Sequence, residues 1–473
     1  MSSSTLKETS AVAETHTLSE TQSLPDDTPR KGSFFNTVRR YIWDDPNKSP
    51  KEKWFLFKLD IFLLTISCLG YFSKNLDQAN VSNAYVSGMS EALKMEGNEL
   101  TYAGNVFTAG YVLGQLPAVI LVTRIRPSIL IPTLEIFWSI FTFCSAAVKT
   151  TSQLYAIRFL LAICEGTYFP TVVYIIGSWY TKSERGKRMT IFYATASFAG
   201  MFSGYLQAGA YKGLNGVLGH AGWQWLFIVC GIISLPIGIA GYFFYPDFPE
   251  TTRAFYISKD EAEWAQKRLI ADGMKPLGAS PWDRTKISRI MKQWQFWVLP
   301  LGYFLVQGSY PIQQPAFALW LKSTGHSVYQ INVWPTGHHA SSHNIWFIVL
   351  AVWDVPVGLK YAAYYLTFTA AGVPGIYYAW FSDLIPHDHE MRGFVIAASN
   401  MFSYIQSIWW TLTVWRTVLS PRFHAAFIGA ASLGVGLCIL TVVLQFLEKH
   451  DTKKRALVDE GTSDEEIARA DNT

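Results

Sequence analysis

Long apolar stretches separated by short charged loops constrain this chain more than any other feature. Six occupy the first half, at approximately 59–78, 101–123, 128–148, 154–180, 190–210 and 223–245. Clear ones follow at about 295–320, 361–381, 394–418 and 425–447. A helix needs about 20 apolar residues to cross roughly 30 Å of hydrocarbon, and most of these stretches meet that length. Half of the 473 residues are hydrophobic, which matches the roughly 240 positions that twelve such helices would use. Charged residues make up only 16%, against roughly a quarter in soluble domains. The pattern implies an all-α polytopic membrane protein and weighs against a soluble enzyme or a disordered chain. A net charge of +4 is too small and too evenly mixed for a nucleic-acid partner.

The charges between the stretches set orientation and domain plan. Residues 1–57 hold no apolar run, so no cleavable signal peptide is expected, and Ser, Thr, Glu and Pro make their first part read as a disordered tail. From Arg30 to Lys58 basic residues outnumber acidic ones, which places the N-terminus in the cytoplasm by the positive-inside rule. Trp54 and Phe57 stand where interfacial aromatics would anchor the first helix. Arg124 and Arg126 then fall on the inner side, as do Lys182, Arg185, Lys187 and Arg188, while the loop 82–99 with Glu91, Glu96 and Glu99 falls outside. A first bundle is therefore expected over 58–246, a cytoplasmic linker over 247–294 with a short amphipathic helix at Lys259–Ile270, a second bundle over 295–448, and a polar tail over 449–473. Two bundles joined by a linker suit a rocking transporter. The second half is short of one crossing. The apolar piece Ile345–Val357 has 13 residues and includes Asp354, so it counts as a poor independent span, and eleven segments result. Eleven crossings would leave Lys449, Lys453, Lys454 and Arg455 outside, against the positive-inside rule.

Ionisable groups inside apolar spans are expensive, so they mark candidate function. The densest cluster is Tyr71-Phe-Ser-Lys-Asn-Leu-Asp-Gln-Ala-Asn80. Lys74 and Asp77, three apart, share a helix face and are close enough to pair, with Asn75, Gln78 and Asn80 widening the polar surface. The cluster reads either as the outer end of the first helix, where Lys snorkels and Asp reaches water, or as a cavity in which Lys74 attracts an anion and Asp77 orients it. In the fourth stretch Arg158 and Glu165 are seven apart on roughly one face, followed by Gly166 and Pro170, which would weaken the helix. Desolvation disfavours a charged carboxylate, so Glu165 suits proton loading and release; a structural pair is the rival reading. Glu135 suits a hydrogen-bonding or domain-contact role better than substrate contact. Gln307, Tyr310 and Gln314 could share a face of the seventh segment, beside Gln313, and with Asn400 and Gln406 they fit either substrate contacts or interhelical hydrogen bonds. The glycines of 200–209 and 231–241 point to close helix packing.

No soluble-enzyme constellation competes. No Walker sequence is present, and His338, His339 and His343 lack the neighbouring Glu of a zinc hydrolase, so they read as a polar loop. Cys68, Cys144, Cys164, Cys230 and Cys438 each lie in apolar sequence and read as small buried hydrophobes, with no metal site, disulfide framework or cofactor implied.

Leu59-Asp60, the run Tyr71 to Met89, Arg158-Phe-Leu-Leu-Ala-Ile-Cys-Glu-Gly-Thr-Tyr-Phe-Pro170, Gly177-Ser-Trp-Tyr180, Glu184-Arg-Gly-Lys-Arg188, Tyr378-Ala-Trp380, Glu390-Met-Arg-Gly393 and Asn400 resemble the major facilitator superfamily. Within it they resemble the fungal anion:cation symporters, the group of allantoate and vitamin permeases, and most of all the pantothenate transporter branch. The resemblance covers most of 55–450. It implies twelve helices in two six-helix bundles, a multi-pass protein of the plasma membrane, and monomeric, proton-coupled uptake of a small organic anion. Asp77, Arg158 and Glu165 occupy motif positions, with Glu165 and Asp77 as proton-coupling groups and Lys74, Asp77, Arg158, Gln307, Tyr310, Gln314 and Asn400 as substrate-binding candidates. The chain departs from the family after Asn332-Val-Trp-Pro-Thr-Gly337, where about 20–30 residues of helix 8 and its loop are truncated or missing. A gene-model error or a decayed paralogue accounts for such a gap. Transport of another organic anion or secondary metabolite, and a transport-inactive receptor, remain the rival readings.

Overall fold

A computed structural model describes residues 48–272, 284–308, 316–334, 345–367, 384–385 and 389–459. Tyr310, Gln313, Gln314, His338, His339, His343, Tyr378 and Trp380 lie outside the described residues, as does the junction where helix 8 was expected to be short. All regular structure among the described residues is helical.

The first half contains α1 (Pro50–Ala92), α2 (Glu99–Arg124), α3 (Pro127–Ala146), α4 (Thr151–Trp179), α5 (Lys182–Leu214) and α6 (Gly222–Phe244). Then come α7 (Lys259–Ala271), α8 (Arg284–Met291), α9 (Gln295–Gly308), α10 (Ala316–Ser323), α11 (Val328–Val333), α12 (Ile345–Val352), α13 (Val357–Thr367), α14 (His389–Thr413) and α15 (His424–Asp459). Among the described residues five helices are long and apolar enough to cross a membrane: α1, α3, α4, α6 and the His424–His450 part of α15. The outward faces of α6 and α15 carry bare aromatics, with Phe243 66% and Phe446 68% exposed. Water would penalise such a surface, whereas lipid tails would not.

Several boundaries differ from the sequence reading. The first span does not stop near residue 78 but runs to Ala92, with π-helical turns at Asp60–Leu64 and Tyr85–Met89. It bends at Ser87 and Gly88, where φ of +110° favours glycine. Polar residues fail to end it because neighbouring helices supply their partners. The basic segment at Lys182–Arg188 is not a loop; it forms the first two turns of α5, started by the Thr181 and Glu184 capping box. Gly166 and Pro170 do not break α4, which is continuous from Thr151 to Trp179. A Cβ at Gly166 would collide with the Tyr111 carbonyl oxygen, so this glycine permits close contact between α2 and α4. Gly231, Gly238 and Gly241 press α6 onto α3 in the same way, whereas Gly209 faces open space. The linker helix appears at its expected place. Cysteine burial does not hold throughout, since Cys144 and Cys438 are exposed. On membrane-spanning helices an exposed thiol faces apolar surroundings, which a small hydrophobe tolerates.

Packing is organised as two sets of helices. In the first, α2 lies along α4, α3 along α6, and α1 between α5 and α6. In the second, α9 packs on α14 and α15, and α12 on α13 and α15. The sets meet where α14 lies against α2 and α11 against α5.

Candidate functional site

The polar positions of α1, which read either as a helix end or as a cavity lining, point into the first helix set. Lys74 and Asp77 are each 3% exposed, and Asn80 is fully buried. Three residues of α-helix separate two side chains by about 60°, and here that angle sends them to different neighbours. The Lys74 ammonium lies 4.9 Å from the Tyr111 ring centroid on α2 and 5.4 Å from that of Tyr71. Aromatic faces attract a cation without neutralising it. Asp77 instead accepts hydrogen bonds from Thr142 of α3, at 2.9 Å, and from Asn80, at 3.4 Å. The expected Lys74–Asp77 pair does not form. Asn80 is anchored in turn, because its Oδ1 accepts from Ser203 of α5 at 3.1 Å.

On α4, Arg158 is 5% exposed and Glu165 fully buried. They do not pair with one another either. The Arg158 guanidinium lies 4.2 Å from the Phe107 ring centroid, and its Nε has no hydrogen-bond partner among the described residues. Gln78 of α1 donates to one Glu165 oxygen at 2.9 Å, while the other has no partner among the described residues. The charges of Lys74 and Arg158 both act on Glu165, and Arg158 also acts on Asp77. Two cations and two carboxylates therefore share one low-dielectric region without direct ion pairs. Such groups keep their capacity to engage a ligand or to change protonation state.

Glu135 of α3 departs from its expected hydrogen-bonding role. It is fully buried, and neither carboxylate oxygen has a hydrogen-bond partner among the described residues. Asp77 is the charge that acts on it.

In the second helix set, Gln307 is buried and Asn400 half-buried. Gln406 of α14 is buried, with both amide atoms unpartnered among the described residues. Beside Lys74 the two sets touch through aromatic rings: those of Tyr111 and Tyr404 lie 4.8 Å apart, so the residue covering Lys74 also touches α14. Tyr111 and Phe107 were not legible as site residues, because an aromatic on an apolar helix carries no signal until its neighbour is a cation.

Comparisons with known proteins agree with this architecture. The family model described as Major Facilitator Superfamily matches residues 67–411. A pantothenate transporter of Schizosaccharomyces pombe is 33% identical over 440 residues, covering 86% of this chain and 85% of that protein. One of Saccharomyces cerevisiae is 29% identical over 444 residues, covering 86% of each. Among solved structures, a D-xylose–proton symporter superposes with a TM-score of 0.58 at 13% identity, covering 82% of this chain and 97% of that one. That likeness shows the fold alone.

Proposed function

The chain belongs to the major facilitator superfamily, and on that premise we propose that it takes up a small organic carboxylate, pantothenate or a close relative, together with a proton. The observation that carries this reading is the balance of charge around α1 and α4. Lys74 and Arg158 can offset ionised Asp77 and Glu165. Loading a proton onto Glu165 or Asp77 leaves one positive charge in excess, and an organic carboxylate is its natural counter-ion. Binding of the anion and of the proton thus favour one another, and releasing either weakens the hold on the other. The pantothenate assignment is supported by the names of the two yeast relatives.

In this reading Lys74 and Arg158 contact the carboxylate, and Glu165 and Asp77 hold the proton. Gln307, Tyr310, Gln314 and Asn400 supply hydrogen bonds from the second bundle to the rest of the substrate. The bundles 58–246 and 295–448 rock about the site, joined by the 247–294 linker. The working protein is a monomer in the plasma membrane, oriented with its N-terminal tail in the cytoplasm.

Uptake of labelled pantothenate into sealed vesicles tests this. An inward acid gradient of one pH unit, coupled to one proton per anion, supports about tenfold accumulation. Glu165→Gln is expected to retain exchange of substrate but to lose accumulation. Accumulation that is indifferent both to the gradient and to this substitution would reject the proton role. Binding without accumulation would favour the receptor reading. Accumulation of a different organic anion in place of pantothenate would move the chain to that substrate.

A further inference from the structure

The two hydrogen-bond partners of Asp77 differ in what they can do. Thr142 of α3 is buried, and its hydroxyl has two oxygens within reach. Asp77 Oδ2 lies at 2.9 Å, and the carbonyl of Trp138, one turn back on the same helix, at 3.0 Å. A hydroxyl carries one hydrogen and two lone pairs. It can therefore donate to Asp77, or turn about its C–O bond, donate to the Trp138 carbonyl and accept from Asp77 instead. Both arrangements use the same heavy-atom positions.

Asn80 has no such freedom. Its Oδ1 accepts from Ser203 of α5 at 3.1 Å, which directs its amide nitrogen to Asp77 Oδ1, at 3.4 Å. Ser203 in turn accepts from Asn83 of α1 at 2.7 Å, so its own hydrogen goes to Asn80. Turning the Asn80 amide over would forfeit the Ser203 bond. Asn80 thus donates whether Asp77 is charged or neutral, and Oδ1 is an acceptor in both states. The oxygen left to carry a proton is Oδ2, which faces Thr142.

We propose that Thr142 is the positioning residue for the transported proton: it donates to Oδ2 of ionised Asp77 and accepts from Oδ2 once that oxygen is protonated. On loading, an O–H bond forms at Oδ2 and the Thr142 hydroxyl swings to the Trp138 carbonyl. No bond of Thr142 is broken and its own hydrogen stays in place. Asp77 then keeps two hydrogen bonds in either state, so a carboxyl sealed from water can gain and lose a proton without stranding a polar group. The titratable and charged groups acting on Asp77 from the surrounding helices are Glu165 and Arg158 of α4, Glu135 of α3 and Cys230 of α6, with Lys74 three residues back on α1. A change at Thr142 leaves all of them in place. This inference rests on the proposed proton-coupled uptake, with Asp77 among the proton-holding groups.

The test compares the pH profile of pantothenate uptake in wild type, Thr142→Val and Thr142→Ser. Valine keeps the branched shape and removes the hydroxyl, which takes a partner from both forms of Asp77. A hydrogen bond to a carboxylate is roughly twice as strong as one between neutral groups, so the ionised form loses more. The alkaline limb should move to higher pH by about one unit, while pantothenate counterflow persists. Thr142→Ser restores a hydroxyl and should return the limb to its wild-type position. Should Thr142→Val fail to fold, Thr142→Ala carries the same expectation. A folded variant without the hydroxyl whose limb is unshifted would reduce Thr142 to a helix-packing residue and overturn the inference, leaving proton-coupled uptake intact. A shift that Thr142→Ser fails to reverse would overturn it too. Wild-type protein without gradient-driven uptake would end both readings.

Discussion

Arg188 shows how much one side chain can fix at the end of the first helix set where α5 begins. It is fully buried, and its Nε and Nη2 donate to the two carboxylate oxygens of Asp60 at 2.7 and 2.8 Å. Tyr180 donates to the same carboxylate at 2.9 Å and stacks its ring 4.7 Å from the guanidinium. This bidentate geometry belongs to Arg and is lost with Lys. Arg188→Ala leaves a carboxylate without its cation and is expected to cost about 3–5 kcal/mol, measured as a fall in melting temperature of the detergent-solubilised protein. Both residues lie in motifs that were legible in the sequence, but their pairing was not, since 128 positions separate them. The converse holds for Lys74 and Asp77. Their spacing suggested a pair, and the choice between a neighbouring carboxylate, an aromatic face and Thr142 was made by helices that spacing says nothing about.

The linker helix α7 was readable from its own residues. Ser258 caps its start, with Glu261 three residues later returning the bond. Its docking was not readable. Lys58 of α1 meets Glu261 at 2.6 Å, and Arg268 reaches Glu184 at 2.9 Å and the Trp179 carbonyl at 3.0 Å. α7 is thus tied to α1, α4 and α5. Burial alone would raise the pKa of Glu261, but the Lys58 ammonium and the capping bonds to Ser258 outweigh it and hold the carboxyl below its ordinary value. The unfolded chain therefore takes up this proton more readily than the folded one. Stability from the pair is complete above the ordinary carboxylate pKa and fades as pH falls through the lower folded value. For a partly exposed pair the effect is below about 1 kcal/mol. Protection factors over 259–271, with the intrinsic exchange rate divided out, should fall on acidification across that window, and Glu261→Gln should abolish this dependence; an equal fall in both proteins would refute the assignment.

Contacts between the two helix sets gather at the end where α1 finishes and α2 begins. The hydroxyls of Thr101 and Thr417 are 2.8 Å apart, Asn332 donates to Ser87 at 2.9 Å, Thr411 donates to Asn105 at 2.7 Å, and Lys322 lies 2.9 Å from Glu91. By the orientation proposed above this is the outer end, so the structure is closed toward the outside. Rocking requires these bonds to part once per cycle. A cysteine pair placed at Thr101 and Thr417 should cross-link on oxidation and abolish uptake, with recovery on reduction. Undiminished uptake by a fully cross-linked protein would show that this end need not open.

Apolar run length, scarcity of charge and the position of basic loops were enough to establish a helical, multi-pass chain, because hydrocarbon thickness and backbone hydrogen bonding leave few alternatives. The ionisable residues worth watching were visible for the same reason, since each is costly in an apolar stretch. Their partners were not visible. Whether Lys74 meets a carboxylate or a ring, whether Glu135 finds a donor, and whether a polar turn ends a helix or lines its interior depend on side chains brought together from distant positions. A sequence shows what each residue demands of its surroundings, and only the packed helices decide which demands are met.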